Sequence, residues 1–361
     1  MRVLHVTDRL SARGGADWHL LGVIGEQARD LDVHLAVGRD DGTAAAPCAT
    51  TVVPDLAGVD GSCGERAVEA LAALASRLRP DVVHVHNCLV PAVLAWAADV
   101  GAVMTVQDHR TFCPGRGKLT RDGRLCREPM EPATCRPCFS DLAYFERIEA
   151  TTRARLDAVR GIDRLVVLSR YMRDELVAAG LDGAKISVIP PFVHGLDADA
   201  EPAGPPCVLF VGRLVEAKGV FDALDVHRRA GIDEPLVFAG TGTARERLVA
   251  AGCEVLGWVP HAGLSGVYRR ARALLMPSRW REPFGIVGIE ALTMGVPVVA
   301  WDSGGVAEWA GCVTPWGDVD ALAVALRGAL GRPAAPPRGF EPAALMDRLR
   351  RLYERDRARV K

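Results

Sequence analysis

The chain has 361 residues, 49% of them hydrophobic and 25% charged, with a formal net charge of −1. That length exceeds what one hydrophobic core ordinarily supports, so two domains are expected. The balanced charge removes the general attraction to polyanions that a nucleic-acid partner would use, and no apolar run approaches the roughly 18 residues of a membrane span, although peripheral membrane contact stays open. The first apolar run is too short and mixed for a signal peptide, so a cytoplasmic protein is expected, and the richness in Ala, Arg and Gly suggests a bacterial source.

Short apolar runs alternate with helix-like stretches, the pattern of an α/β protein with parallel strands. In the first half, strands are expected at 3–7, 33–37, 51–53, 81–86, 103–106, 165–168 and 186–189. Between them, Gly14 and Gly15 mark a loop feeding a helix that runs to about Arg29, 67–78 has helical apolar spacing, and 141–160 reads as a long charged helix. Ser169 suits the N-cap of a further helix. The acidic, then Pro- and Gly-rich segment 197–206 is the best linker candidate. Strands follow at 208–211, 236–239, 274–276 and 298–300, with helices from Gly219, near Arg245 and over 285–294. A Pro-rich stretch at 333–337 precedes a last helix over 343–359. The expected organisation is a first domain at 1–200, a second at 206–342, and a terminal helix within 343–361 that packs back on the first domain. Two doubly wound halves place ligands at the carboxyl ends of their strands, facing across a cleft.

Two segments of the second half carry chemistry. In REPFGIVGIEALTMG, Pro283 stands just ahead of a helical run, and a helix start presents unpaired N–H groups and the positive end of a dipole, which suits a diphosphate. Gly285 permits close backbone approach, and Phe284 and Ile286 flank it. Glu282 and Glu290 lie on either side of this turn, where two carboxylates can accept hydroxyls of a sugar or ribose. The alternative is one Glu placed for the helix dipole and one on a solvated face. In the second segment, FVGRLVEAKG, a buried strand ends at Gly212, and Arg213 and Lys218 emerge in the following loop. Two cations there would neutralise a leaving diphosphate, or else are solvated loop charges.

Together these segments resemble glycosyltransferase family 4, retaining enzymes of the GT-B fold. The matching residues are Val211-Gly-Arg-Leu214, Lys218-Gly219, Pro277-Ser278, Glu282-Pro-Phe-Gly285, Glu290-Ala291, Gly295 to Ala300, and Gly304-Gly305 with Glu308. The resemblance implies a nucleoside diphosphate sugar as donor and an unidentified hydroxyl acceptor. Arg213, Lys218 and Glu282 would be catalytic, and Phe284, Gly285, Ile286 and Glu290 would bind the donor, Glu290 at the ribose and Glu282 at the sugar. No position offers itself as a covalent nucleophile. Gly14 and Gly15 resemble the family's glycine loop beside the donor phosphate or the acceptor. His84 and His86 share one face of a strand; His84 reads as an interior histidine and His86 as lining the cleft on the acceptor side. Gln107, Asp108 and His109 stand where relatives carry His-Asp, so the usual His is Gln107 here, with His109 two residues later. Other readings are an epimerase or hydrolase of the same fold acting on the nucleotide sugar, and a non-catalytic, zinc-organised binding protein.

Ten cysteines are present, six of them scattered. Cys113, Cys126, Cys135 and Cys138 are spaced C-x12-C-x8-C-x2-C in a loop, 113–138, with little apolar content. Four thiolates and a Cys-x2-Cys knuckle suit a structural Zn²⁺; an iron–sulfur cluster and two disulfides are the alternatives. Three Asp-x-Asp pairs, Asp30/Asp32, Asp197/Asp199 and Asp318/Asp320, read as turns and an N-cap. With Arg213, Lys218 and a helix start available, no catalytic divalent cation is expected.

Overall fold

The computed structural model describes residues 1–58, 63–334 and 338–354. The chain divides into two compact units. One comprises Met1–Arg121, Arg127–Phe192 and, within Phe340–Lys361, the described residues 340–354; the other comprises Asp122–Cys126 and Val193–Gly339. The main division thus falls just ahead of the acidic, Pro-rich segment 197–206.

Among the described residues the first unit holds seven parallel strands: β1 (Arg2–Leu10), β2 (Asp32–Asp40), β3 (Ala49–Val52), β4 (Val82–His86), β5 (Val103–Val106), β6 (Arg164–Val167) and β7 (Ile186–Val188). Their order is β3-β2-β1-β4-β5-β6-β7, so the order reverses between β1 and β4. Strands covered on both faces read as continuous apolar runs, and β4 is buried at all five positions, its two histidines included. Helices α1 (Gly15–Gln27), α2 (Cys63–Leu78), α3 (Pro91–Asp99), the short α4 (Pro132–Cys135), α5 (Leu142–Arg160) and α6 (Arg170–Ala178) join them. Ser169 caps α6, its Oγ accepting from Met172 N at 3.1 Å.

Among the described residues the second unit holds six parallel strands: β8 (Cys207–Val211), β9 (Leu236–Ala239), β10 (Glu254–Gly257), β11 (Ala271–Met276), β12 (Val298–Trp301) and β13 (Val313–Thr314). Their order is β10-β9-β8-β11-β12-β13, and the reversal lies between β8 and β11. The helices here are α7 (Val220–Ala230), α8 (Arg245–Ala250), α9 (His261–Arg269), α10 (Ile286–Thr293) and α11 (Val319–Ala329). Asp318 caps α11, accepting from Ala321 N at 2.8 Å.

The last helix, α12 (Pro342–Glu354), belongs to the first unit. Leu345, Leu349, Leu352 and Tyr353 recur at helical spacing and are buried with Val3, Val23, Val82, Val103 and Val166. Each buried leucine contributes about 2 kcal/mol to this docking. Residues 355–359 of the expected helix, and 335–337 of the Pro-rich stretch, lie outside the described residues.

Candidate functional site

In the second unit, β8 and β11 stand side by side at the reversal of strand order, and their carboxyl ends feed the two signature loops. The β8 loop carries Arg213 and a 3₁₀ turn over Glu216–Lys218, which closes on Gly219 with φ of +75°. A side chain at Gly219 would run into the carbonyl oxygen of Pro277, so only glycine lets the two loops meet here. Ala217 O accepts from both Arg279 N, at 3.1 Å, and Trp280 N, at 3.0 Å, and this locks the β11 loop against the β8 loop.

This juxtaposition brings Lys218 to Glu282. Lys218 Nζ donates to Glu282 Oε1 at 2.7 Å, and Ser278 Oγ donates to the same oxygen at 2.6 Å. Glu282 is only 5% exposed. Burial alone would raise its pKa, but the Lys218 charge and hydrogen bonds from Lys218, Ser278 and Trp280 outweigh burial and leave it below the ordinary carboxylate value. Glu282 is therefore ionised at neutral pH. Trp280 lies beside the two cations, with Lys218 Nζ 4.6 Å and the Arg213 guanidinium 5.5 Å from its ring centroid.

Eight residues on, Glu290 is buried in α10. Tyr268 donates its hydroxyl hydrogen to Glu290 Oε2 at 2.8 Å, and His261 Nε2 lies 3.3 Å from Oε1. Burial first, and then the Glu290 charge, raise the Tyr268 pKa well above its ordinary value, so the phenol stays a donor. Gly285 caps the start of α10 with φ of +93°, and Trp309 Nε1 donates to Phe284 O at 2.8 Å, fixing the turn between the two carboxylates. Arg213, Lys218, Glu282, Phe284, Gly285, Ile286 and Glu290 thus surround one helix start and one strand-order reversal within a single unit. Tyr268, His261 and Trp280 belong to none of the sequence motifs that mark this site. For Tyr268 and His261 no local signal exists, because both reach Glu290 from the preceding helix, α9, across the intervening β11 strand. For Trp280, its place two residues before Glu282 was the available clue.

In the first unit, Gly14 is the N-cap of α1, and Asp17 in the first turn pairs with Arg9 at 2.7 Å. Asp108 caps a 3₁₀ turn over His109–Thr111, accepting from Arg110 N at 2.8 Å, and also pairs with the Arg110 side chain. Gln107 is 7% exposed, its Nε2 3.3 Å from both Ala16 O and His19 Nδ1. His109 is 1% exposed, with Nε2 2.7 Å from the Tyr171 hydroxyl.

His86, expected to line a cleft, is also 1% exposed and belongs to a chain of buried hydrogen bonds beneath α12. Its Nε2 is 2.9 Å from His5 Nδ1, and His5 Nε2 is 2.8 Å from Gln27 Oε1. Gln27 Nε2 donates to the Tyr353 hydroxyl, which lies 2.7 Å from His84 Nδ1, and His84 Nε2 is 2.8 Å from Thr105 Oγ1. With the Gln27 carbonyl facing His5, one proton order runs through the chain. His5 must donate to the Gln27 carbonyl, so His5 Nδ1 accepts from His86 Nε2–H; Tyr353 then donates to His84, and His84 to Thr105. Burial lowers the pKa of His5 to about 4 and those of His84 and His86 well below the ordinary value, so all three are neutral. Their donor atoms lie within 4.8 Å of one another, as a metal site would require. The facing nitrogens of His5 and His86 are already engaged with each other, and both His84 nitrogens are bonded to oxygen, which leaves His86 Nδ1 as the buried nitrogen of the triad without a hydrogen-bond partner.

Cys113 follows the 3₁₀ turn, and Cys135 and Cys138 end α4 and the 3₁₀ turn after it. Cys113 Sγ and Cys138 Cβ lie 3.9 and 4.0 Å from the point where a Gly115 side chain would begin. Cys126 falls in the Asp122–Cys126 segment. Asp30 pairs with Arg350, Asp32 with Arg2 and Asp320 with Arg229, while Asp197 accepts from the backbone N–H of Asp199 within its own turn. Among the described residues, no helix is long and apolar enough to cross a membrane.

Residues 13–194 match the family described as Glycosyltransferase Family 4, and 205–332 match Glycosyl transferases group 1. A glycogen synthase of Mycobacterium tuberculosis is 33% identical over 286 residues, covering 72% of this chain; that stretch is only 62% of the relative's length. Sucrose-phosphate synthase from Thermosynechococcus elongatus aligns over 98% of this chain and 95% of its own, with a TM-score of 0.67 at 19% identity. Anabaena HepE, solved in complex with UDP-glucose, aligns over the same shares with a TM-score of 0.65 at 16% identity. These structural likenesses show the GT-B fold.

Proposed function

The chain belongs to glycosyltransferase family 4, and from that premise we propose that it moves a sugar from a nucleoside diphosphate donor to a hydroxyl acceptor with retention of anomeric configuration. The observation that carries this reading is the ionised Glu282–Lys218 pair, set beside Arg213 and across the start of α10 from Glu290. In this reading Glu290, held by Tyr268, accepts the ribose hydroxyls. Glu282 accepts hydroxyls of the sugar. Arg213, Lys218 and the amides near Phe284–Ile286 stabilise the charge that develops on the leaving diphosphate. Such preorganised donors commonly supply the greatest share of an enzyme's rate enhancement, and they need no divalent cation on the diphosphate. The binding of UDP-glucose by the Anabaena neighbour supports a nucleotide sugar as donor. Gly14 and Gly15 are assigned to a glycine loop that approaches the donor, and Gln107, Asp108 and His109 to the acceptor side; His86, buried beneath α12, has no part in it.

Cys113, Cys126, Cys135 and Cys138 are proposed to hold a structural zinc. The count of four and the Cys-x2-Cys pair, which lies on two consecutive short turns, support this reading. Bound metal would fix the loop and takes no part in group transfer.

The test is incubation of the protein with nucleotide sugars and sugar, lipid and aminocyclitol acceptors, with the product's anomeric configuration read by NMR. Transfer with retention, unaffected by EDTA and abolished in Lys218→Ala, is expected. Donor turnover that proceeds equally well without any acceptor would instead identify an epimerase or hydrolase.

A further inference from the structure

The family signature accounts for the cations and carboxylates of the second unit but gives no role to the aromatic ring between them. Trp280 is anchored from both sides of its backbone. Its N–H donates to Ala217 O at 3.0 Å, and its carbonyl accepts from Ser303 Oγ at 2.6 Å. The preceding residue is held still more firmly. Arg279 Nε and Nη2 donate to the two oxygens of Asp222 at 2.5 and 2.6 Å, and Trp316 Nε1 donates to Arg279 O at 3.1 Å. Asp222 is buried in the first turn of α7. The fork geometry of a bidentate pair fixes direction as well as distance, so the indole is presented at a set place over the β8 loop.

Two cations from that loop use the one ring: Lys218 Nζ at 4.6 Å and the Arg213 guanidinium at 5.5 Å from its centroid. Both distances lie within the reach of a cation–π contact. Arg213 is an exposed side chain, and among the described contacts the indole is what limits its directions. Lys218 also touches Glu282, which draws it toward the carboxylate; the ring face supplies a second attraction that keeps it between the two. An aromatic ring suits this position where a carboxylate would not. It attracts cations without adding a formal negative charge that would repel an entering diphosphate.

We propose that Trp280 is a positioning residue that holds Arg213 and Lys218 together for the terminal phosphate of a nucleoside diphosphate, and so sets the preference for diphosphate over monophosphate. The inference rests on the donor-site reading above. Its energetic content is the pre-orientation of two flexible cations, which is realised only when the second phosphate is present.

The test compares nucleoside diphosphates with their monophosphates by titration calorimetry, using the uridine, guanosine and adenosine series on wild type, Trp280→Leu and Trp280→Phe. Wild type should bind one diphosphate more tightly than its monophosphate. Trp280→Leu should lose roughly tenfold in diphosphate affinity while its monophosphate affinity stays within about twofold. Trp280→Phe, which retains a ring face, should recover most of the difference. A purely structural role would weaken both ligands together and lower the melting temperature. Should Trp280→Leu not fold, Trp280→Phe still decides, with a loss of about threefold confined to the diphosphate. An unchanged diphosphate-to-monophosphate ratio in the folded variants overturns the proposal. A wild type that binds no diphosphate overturns the donor-site reading itself.

Discussion

Replacing Lys218 with Met tests the electrostatics of the site at one position. The Glu282 side chain is 6% exposed and that of Lys218 is 19% exposed, with 2.7 Å between them. Removing one member of a buried pair costs about 3–5 kcal/mol, because the other charge is left without compensation. Lys218 keeps some contact with water, so a loss near 3 kcal/mol is expected, of which about 1 kcal/mol is the lost contact with the Trp280 ring. The pH dependence carries the sharper signature. In wild type the folded pKa of Glu282 lies below its unfolded value of 4.5, so this carboxylate adds stability above that pH and loses it as pH falls through the folded pKa. Without Lys218, burial prevails over the remaining hydrogen bonds and the folded pKa lies above 4.5. The contribution then has the opposite sign, present below the unfolded value and lost as pH rises. The stability gap between wild type and Lys218→Met should therefore widen from pH 4.5 to pH 7.5. Urea denaturation at both pH values measures it. Adding Glu282→Gln should restore at least half of the loss at pH 7.5, because no buried charge then remains. A gap independent of pH, or single-variant effects that add within about 0.5 kcal/mol, would mean that Glu282 and Lys218 are not coupled as a buried pair.

The remaining predictions concern backbone, core and loop. Gly219→Ala forces a side chain into the Pro277 carbonyl at a positive φ, so a loss of about 2 kcal/mol or more and a clearly lower melting temperature are expected; an unchanged melting temperature would mean that the two loops do not meet. His5 has a folded pKa of about 4 against an ordinary 6.5, so stability should fall by about 3 kcal/mol as pH drops through that window. Asp17, raised to about 6 by burial, gains on acidification and opposes this, so Asp17→Asn should show the steeper acid loss in denaturation curves. Tyr353→Phe removes the hydroxyl that joins Gln27 to His84 and should cost about 1–3 kcal/mol. Elemental analysis should find one zinc per chain, lost in Cys135→Ser; iron, or no metal in a folded protein, would contradict the assignment.

Most of the parallel strands were legible because strands buried on both faces are continuous apolar runs; 103–106 and 236–239 coincide with β5 and β9. The β10 strand escaped because its residues alternate between exposed and half-buried at a sheet edge, leaving no apolar run. The α3 helix escaped because PAVLAWAAD is apolar all round and offers no period to read. Ser169 and Asp318 were readable as caps because an N-cap is a local contact. The site was legible as far as its motifs reach, which covers Arg213, Lys218, Glu282 and Glu290. The partners that position those side chains, Tyr268, Asp222 and Trp280, converge through tertiary packing that no local spacing records. His86 shows the same limit. Strand alternation put it on the face of His84, but that face turned out to be covered by α12 from the far end of the chain.

Binding of a nucleoside diphosphate by the second unit without a divalent cation is open to measurement by thermal stabilisation with nucleoside diphosphates, with and without EDTA. A marked rise in melting temperature is expected with the diphosphates of one base, unchanged by EDTA and lost in Lys218→Ala. No stabilisation by any diphosphate, or stabilisation that EDTA removes, would contradict it.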